Sequence, residues 1–254
     1  MPLSPQYALN FLLMFVRITT IFVVVPVFNT QDVPPMVKIG FSALLTFMLV
    51  PAEAHALPHV PEATWPFLLM AGQEVFAGVV IGLAAVLIFS AIQIAAGLAG
   101  LQIGFRAANL VDPFMPGMGS ALDQFYGWLA VVIFFVFDGH HNLIVAMAKT
   151  FEVVPVGTLQ IDSLVFGRML ALLTTSFQSA VQVSIPLIGS LLLADVALGL
   201  VARTVPQVNV FFVGLPIKMG VGIGMLIFTT PITIGWIERL LTQMGQNSLL
   251  VFVR

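Results

Sequence analysis

Six long runs of apolar residues, separated by short polar segments, dominate the pattern of this chain. A helix that crosses the hydrocarbon core of a bilayer needs about 20 apolar residues, whereas membrane barrels alternate over strands of about ten. The pattern therefore predicts an all-α integral membrane protein. The runs cover residues 7–28, 36–50, 67–104, 121–151, 164–202 and 210–237.

The lengths of these runs differ from those of a simple multi-pass protein. Run 36–50 is short for a full span, and run 67–104 would measure about 57 Å as one helix, nearly twice the hydrocarbon thickness. Run 164–202 is also too long for one ordinary span. We therefore expect long broken helices and helical hairpins, with Pro186 kinking one run and residues 138–141 interrupting another.

Composition agrees with this interpretation and narrows the function. Hydrophobic residues make up 59% of the chain and charged residues only 8%, against about 25% in soluble domains. The net charge is −2 without a basic patch, which argues against nucleic acid as a partner. Cysteine is absent, so disulfides and thiolate metal sites are excluded. No Lys or Arg precedes the first run, so it is predicted to be a retained helix and not a signal peptide.

The segment 104–120 is too irregular to continue the apolar helix before it. It contains two Pro, three Gly, two Met, an Arg and an Asp. Helix-breaking backbone at membrane depth is tolerated only where protein buries it or where it lines a water-filled passage. The segment therefore suggests that the protein contains a conduit and that this segment closes it, because flexible Met side chains can seal an apolar constriction. The alternative, that it only packs on its own helices, is equally compatible with the residues.

Five ionisable residues lie inside apolar runs: Arg17, Glu74, Arg168, Asp195 and Lys218. Such residues are functional hypotheses by default, but pairing between helices is the interpretation we favour. One pair follows from spacing. Asp195 and Lys218 lie at similar distances on either side of the turn between the last two runs, so they should reach the same depth. We predict an ion pair between them, within one hairpin or with a neighbouring subunit.

Enzyme and metal chemistry find little support in the sequence. His140 and His141 are adjacent and cannot share a helix face, and the other two His lie in a remote loop, so we expect no metal site. No nucleophile elbow, phosphate loop or dinucleotide fingerprint is present, and we expect no cofactor and no enzymatic activity. An intramembrane hydrolase that uses Ser120 or His140 is the least favoured interpretation.

Several short motifs, in their order and spacing, resemble the FliR family of flagellar export proteins and its counterparts in virulence type III secretion systems. No single motif is diagnostic, but together they extend over nearly the whole chain, and their wording favours the flagellar branch. The motifs are VPPMVKIG (33–40), GLQIG (100–104), VDP (111–113), FDGH (137–140), FEVVPVG (151–157), ALGL (197–200), ARTVPQVN (202–209) and FVGLPIK (212–218).

The resemblance implies a role that composition could not supply. Proteins of this family assemble with several copies of FliP and FliQ into a helical gate, with FlhB and FlhA homologues as expected neighbours. The gate lies in the flagellar basal body at the bacterial inner membrane and passes unfolded flagellar proteins. Within one membrane domain, residues 1–160 would form a FliP-like part and residues 161–254 a FliQ-like hairpin with a C-terminal tail.

In the family, the loop after the third run plugs the pore. Carried over by position, the plug is residues 106–120, with Phe114, Met115 and Met118 as the sealing side chains. The alternative from another class is a self-contained secondary transporter that uses Glu74, Asp195 and Lys218. The residues expected in the plug are Arg106, Leu110, Phe114, Met115, Pro116, Gly117 and Met118.

Overall fold

The computed structural model is predominantly helical in the part of the chain that it describes, which is residues 5–29, 33–52, 58–61, 63–105, 120–159, 163–205, 207 and 209–252. These residues form eight α-helices and no strand. The helices are α1 (Pro5–Val24), α2 (Pro35–Ala52), α3 (Thr64–Ile103), α4 (Ala121–Val136), α5 (Gly139–Val153), α6 (Ser163–Thr204), α7 (Val210–Thr242) and α8 (Met244–Leu250).

The helices follow the apolar runs closely. Helices α1, α3, α6 and α7 are long and apolar enough to cross a membrane, and the bent pair α4–α5 adds a fifth if it crosses as one span. The predicted fold class, an all-α integral membrane protein, is confirmed. The glycines of α3 do not break it, since it runs unbroken for 40 residues. Helix α6 likewise continues through Pro186 to Thr204.

The chain divides into two compact units, each built from separated segments. Unit 1 comprises Met1–Ile88, Asp138–Leu173 and Leu241–Arg254, and unit 2 comprises Phe89–Phe137 and Thr174–Leu240. Each unit therefore draws residues from both the first and the second half of the chain. The subdivision into a FliP-like part, residues 1–160, and a FliQ-like hairpin stays a prediction.

In unit 1, helix α1 packs against α2 and approaches α3 very closely. The approach to α3 uses two glycines one helical turn apart, which form a small-xxx-small face. A Cβ atom added to Gly78 would lie 2.7 Å from Thr20 Cβ, and one added to Gly82 would lie 2.6 Å from Val24 Cβ. Because both distances are below normal contact, only glycine permits this helix spacing.

The C-terminal end of the chain folds back onto unit 1. Helix α8 packs on α5 at Gly245, where an added Cβ would lie 3.0 Å from the Asn142 carbonyl oxygen. Arg168 Nη1 donates to the Leu250 carbonyl oxygen at 2.7 Å and so caps the end of α8. Phe252 then packs on a small apolar cluster of α3 and the segment after α5. The tail is thus an integrated part of unit 1.

Unit 2 contains the C-terminal part of α3 from Phe89 onwards, α4, and most of α6 and α7. Small residues let α3 and α6 pack closely at Ala91, Ala95 and Ala180, and Trp236 of α7 covers this contact. Only 11% of the most apolar part of α6 and 17% of that of α7 is buried within the chain. These two helices therefore need lipid or other protein chains to cover them.

Candidate functional site

The segment singled out by the sequence is held at both ends by helix-terminating structure. Residues 106–119 lie outside the residues that the structure describes, but residues 105 and 120 and the helices that carry them are described. The end of α3 and the start of α4, which hold the two ends of the segment, are called its frame below. The assignment of individual plug residues stays a prediction. Those outside the described ranges are Arg106, Leu110, Phe114, Met115, Pro116, Gly117 and Met118.

The front of the frame is the end of α3 at Gly104. This glycine has a φ of +96°, a conformation that side chains other than glycine rarely adopt. The Phe105 backbone N–H donates to the Gly100 carbonyl oxygen at 3.0 Å, which closes the last turn of the helix. A Cβ atom at Gly104 would lie 2.7 Å from Leu215 Cδ1 of α7, so the helix stops in tight contact with that helix.

The back of the frame is a capping box at the start of α4. The Asp123 backbone N–H donates to Ser120 Oγ at 3.2 Å, and the Ser120 backbone N–H donates to Asp123 Oδ2 at 2.7 Å. Ser120 is buried against α3, since a Cβ atom at Gly100 would lie 2.8 Å from Ser120 Oγ. The chain therefore returns to the same turn of α3 from which it departed. Ser120 acts here as a helix cap and gives no support to a hydrolase.

A second notable feature is an ion pair at the centre of unit 1. Arg17 Nε donates to Glu74 Oε2 at 2.6 Å, and Arg17 Nη2 donates to Glu74 Oε1 at 3.1 Å. Both side chains are completely buried. This planar, bidentate geometry gives the strongest form of Arg–carboxylate pairing, and burial makes each partner depend on the other.

The same two side chains hold the C-terminal end of α5. Arg17 Nη1 donates to the carbonyl oxygens of Thr150 and Val154, at 3.2 and 2.8 Å, which are among the last carbonyls of that helix. The Arg17 guanidinium also lies 4.4 Å from the centre of the Phe151 ring. The cation thus joins α1 to the end of α5 as well as to α3.

Glu74 extends this cluster to the turn that follows α5. Its Oε1 atom accepts a hydrogen bond from the Gly157 backbone N–H at 2.8 Å, and Gly157 has a φ of +71°. The cluster therefore fixes the backbone position of the motif at 151–157. The sequence had marked this motif without indicating its role. Neither carboxylate oxygen of Glu74 is left without a hydrogen bond, so this residue is poorly suited to carry protons.

The structure brings together Asp195 and Lys218, the pair expected from their spacing around the turn. Lys218 Nζ lies 2.9 Å from Asp195 Oδ1 and 3.0 Å from Oδ2, linking α6 to α7. The Lys218 side chain is 21% exposed and the Asp195 side chain 43% exposed, so the pair lies at the edge of the buried surface. Arg168, by contrast, caps α8 in an exposed position.

The break near His140 is a sharp turn between α4 and α5. Asp138 adopts a left-handed conformation with a φ of 54° between α4 and α5, and its Oδ1 atom lies 4.0 Å from His140 Nε2. Among the described residues, no group of three or more His, Cys, Asp or Glu side chains could hold a metal ion. The polar residues at 138–141 thus mark a turn that ends one helix and begins the next.

Sequence reasoning identified Arg17 and Glu74 only as separate charges. They are 57 residues apart on helices that are not consecutive, so no local spacing relates them. The available signal was the close-packing face at Gly78 and Gly82, which begins one turn after Glu74 along α3 and contacts α1 one turn after Arg17. Combining that face with the two charges would have suggested the pair.

The long apolar helices, the irregular segment framed between two of them and the pairing of charges between helices define a multi-pass helical membrane protein. Residues 8–244 match the model of the family described as "Bacterial export proteins, family 1". The chain therefore belongs to this family.

Three curated relatives, all named flagellar biosynthetic protein FliR, are similar along most of their length. The protein from Bacillus subtilis (strain 168) is 35% identical over 223 residues, which cover 85% of this chain and 84% of the relative. The protein from Pectobacterium carotovorum subsp. carotovorum is 32% identical, covering 90% and 87%. The protein from Escherichia coli (strain K12) is 30% identical, covering 89% and 86%. The resemblance noted from the motifs is thereby confirmed.

Proposed function

We propose that this chain is a core subunit of the flagellar type III export gate at the bacterial inner membrane, where it assembles with FliP and FliQ homologues and closes the pore with residues 106–120. Its family and its FliR relatives support the part of this proposal that makes it a component of flagellar protein export. FlhB and FlhA homologues are further expected partners, and unfolded flagellar proteins are the substrate.

The observation that carries the proposal is the frame at Gly100, Gly104 and Ser120. A segment rich in Pro, Gly and Met leaves α3 at a left-handed glycine and re-enters α4 at a capping box that touches α3. Two fixed ends at one place allow the segment to project as a closure without disturbing the helices. Such irregular backbone is compatible with a membrane protein where it meets protein or a water-filled passage.

The exposed apolar surface supports assembly with other chains. Helix α6, with 42 residues, would reach about 63 Å at 1.5 Å per residue, about twice the hydrocarbon thickness. Most of its apolar surface is uncovered within the chain. Lipid alone cannot cover a helix of that length if it runs straight across the bilayer. Contact with partner subunits therefore accounts better for the apolar surface of α6.

The transporter alternative loses support from the same geometry. Glu74 is occupied by Arg17 and by the Gly157 N–H, and Asp195 is occupied by Lys218. An ion or proton carrier needs a carboxylate that can exchange partners, and the two carboxylates named for that role already have strong ones.

The test is to delete Leu110 to Met118 and express the variant together with the FliP and FliQ homologues. We expect the variant to co-purify with both partners and to make the membrane permeable to small ions, measured as conductance in planar bilayers. A matched control replaces the same residues by a Gly/Ser segment of equal length, which keeps the connection but removes the apolar side chains. It should leak as well.

Two results would contradict different parts of the proposal. Unchanged conductance in a fully assembled deletion variant would remove the plug function. Failure of the unaltered chain to co-purify with FliP and FliQ homologues, together with substrate-dependent uptake by the chain alone, would favour a transporter. If the complex leaks, single changes of Phe114, Met115 and Met118 to Gly would then identify the sealing side chains.

A further inference from the structure

Unit 2 contains a small cavity between four of its helices, and hydroxyl groups line one side of it. Tyr126 of α4, Ser184 of α6 and Thr229 and Thr233 of α7 contribute the hydroxyls, while small side chains of α3, such as Ala95, leave the space open. Ser184, Thr229 and Thr233 are all at most 6% exposed. Buried hydroxyls are therefore concentrated at one place between these helices, although Ser and Thr are mostly exposed in proteins.

The protons of the serine and threonine hydroxyls are already committed to the backbone, while the Tyr126 hydroxyl is hydrogen-bonded to the Thr233 side chain. Ser184 Oγ donates to the Ala180 carbonyl oxygen at 2.9 Å, and Thr229 Oγ1 donates to the Met225 carbonyl oxygen at 2.8 Å. Thr233 Oγ1 donates to the Thr229 carbonyl oxygen at 3.1 Å. The Ser184 and Thr229 oxygens act only as donors in these bonds, so one acceptor on α6 and one on α7 can each receive a hydrogen bond from a donor in the cavity.

The size and charge of the cavity restrict its occupant. The cavity volume that the centre of a water molecule can occupy is about 10 Å³, which is close to the minimum that holds one water molecule. An organic ligand does not fit. A sodium ion would fit by size, but none of the described residues that line the cavity carries a carboxylate, and a buried cation without a compensating charge is strongly disfavoured.

We propose that this cavity binds one water molecule, which donates hydrogen bonds to hydroxyls of α6 and α7 and thereby links the two helices. A water molecule with two or more polar partners is a structural component and is costly to remove. This proposal rests on the geometry of unit 2 alone and does not depend on the proposed gate function.

The first test uses two neighbouring threonines as a matched pair. Thr229 and Thr230 both donate to the carbonyl oxygen four residues earlier, but Thr229 lines the cavity and Thr230 is exposed. Thr229→Val keeps the shape and removes the acceptor from the cavity. If water is bound, T229V should lower the Tm of the protein by about 2–4 °C more than T230V, as expected for a loss of one hydrogen bond.

A dry cavity predicts the opposite sign. The new methyl group would fill empty space and remove a polar atom from an apolar site, so T229V would unfold at the same temperature as T230V or above it. If T229V fails to fold, Ser184→Ala gives the same comparison with Ser179→Ala. Ser179 makes the equivalent bond to the Thr175 carbonyl oxygen on the exposed side of α6.

The second test detects the water directly. A short X-ray pulse generates hydroxyl radicals from bound water, and these oxidise side chains in contact with it, which mass spectrometry quantifies. Tyr126 is 8% exposed and Phe134, on the same helix, is fully buried, so the ratio of their oxidation rates in the unaltered protein is the reference value. The S184A/T229V double variant should lower the Tyr126 rate towards that of Phe134.

The following results would overturn the proposal. Tyr126 oxidation equal to that of Phe134, or unaffected by the double variant, would mean that no water is bound there. A Tm that rises with sodium but not with choline, and that loses this dependence in T229V, would mean that a cation is the occupant. Independence of the Tm from sodium is the result expected for water.

Discussion

Changing Glu74 to Gln should test whether the buried cluster of unit 1 holds the fold together. Glu74 accepts three N–H groups: Arg17 Nε, Arg17 Nη2 and the Gly157 backbone N–H. The amide of glutamine has one acceptor oxygen and one donor nitrogen. In either orientation of the amide, at least one of those N–H groups faces an NH₂ group, and the Arg17 cation loses its counter-charge.

The magnitude follows from burial. Both partners have no exposed side-chain surface, so water cannot replace the missing charge. Breaking a buried pair by removing one charge costs about 3–5 kcal/mol, a large part of the roughly 5–15 kcal/mol that stabilises a typical protein. For a chain of this size we expect a decrease in Tm on the order of 10 °C.

The assay is thermal unfolding of the purified protein in mild detergent, followed by far-UV circular dichroism. Glu152→Gln is the matched control, since Glu152 is exposed on α5 and lies close to the same cluster in sequence. It should leave the Tm unchanged. The double variant Arg17→Gln/Glu74→Gln removes both charges and should unfold at a higher temperature than E74Q alone.

The reasoning would fail if E74Q lowered the Tm no more than E152Q did. A double variant less stable than the sum of its single changes would also contradict it, since removing the second charge should relieve the first defect. A Tm decrease in E74Q that the double variant partly reverses is the pattern that a buried, mutually dependent pair requires.

Three further predictions use the same unfolding measurement or an export assay. Gly78→Ala should destabilise the protein by about 1–3 kcal/mol because its Cβ would lie 2.7 Å from Thr20 Cβ and 2.9 Å from the Arg17 carbonyl oxygen. Gly72→Ala, in open space on the same helix, should be neutral or stabilising by up to about 1 kcal/mol, and equal effects of the two changes would argue against a tight contact of α1 with α3. Ser120→Ala should cost about 1 kcal/mol through loss of the cap, more than the exposed Ser179→Ala, and a smaller loss would mean that the cap is dispensable. Asp195→Lys and Lys218→Asp should each reduce flagellar protein export, measured as secreted protein or motility, and their combination should restore it unless a partner chain, and not the ion pair, requires these charges.

Features that depend on neighbouring residues in the chain were the ones that sequence could predict. The bounds of α2 and α6 follow their apolar runs within one or two residues. Asp195 and Lys218 could be placed together because one turn separates their helices and both lie equally far from it. The capping box of Ser120 and Asp123 also has a spacing that is recognisable in the sequence.

Features that depend on the arrangement of distant helices were not predictable in this way. Helix α3 is unbroken, and its Gly78 and Gly82 serve close packing on α1. The helix keeps its backbone hydrogen bonds because an apolar environment offers no other partners. The link between Arg17, Glu74 and the turn at Gly157 joins three separate parts of the chain. Each charge was visible in the sequence, but its partner depended on tertiary structure.

The contact between Gly100 and Ser120 makes the intervening segment an exchangeable insert. Because the two ends of the segment meet at one turn of α3, its length contributes little to the positions of the helices. Even for a flexible replacement, doubling the length of a connection adds only about 0.6 kcal/mol of closure entropy. Chimeras that carry a relative's segment between residues 105 and 120 should therefore still fold, with the surrounding helices unchanged.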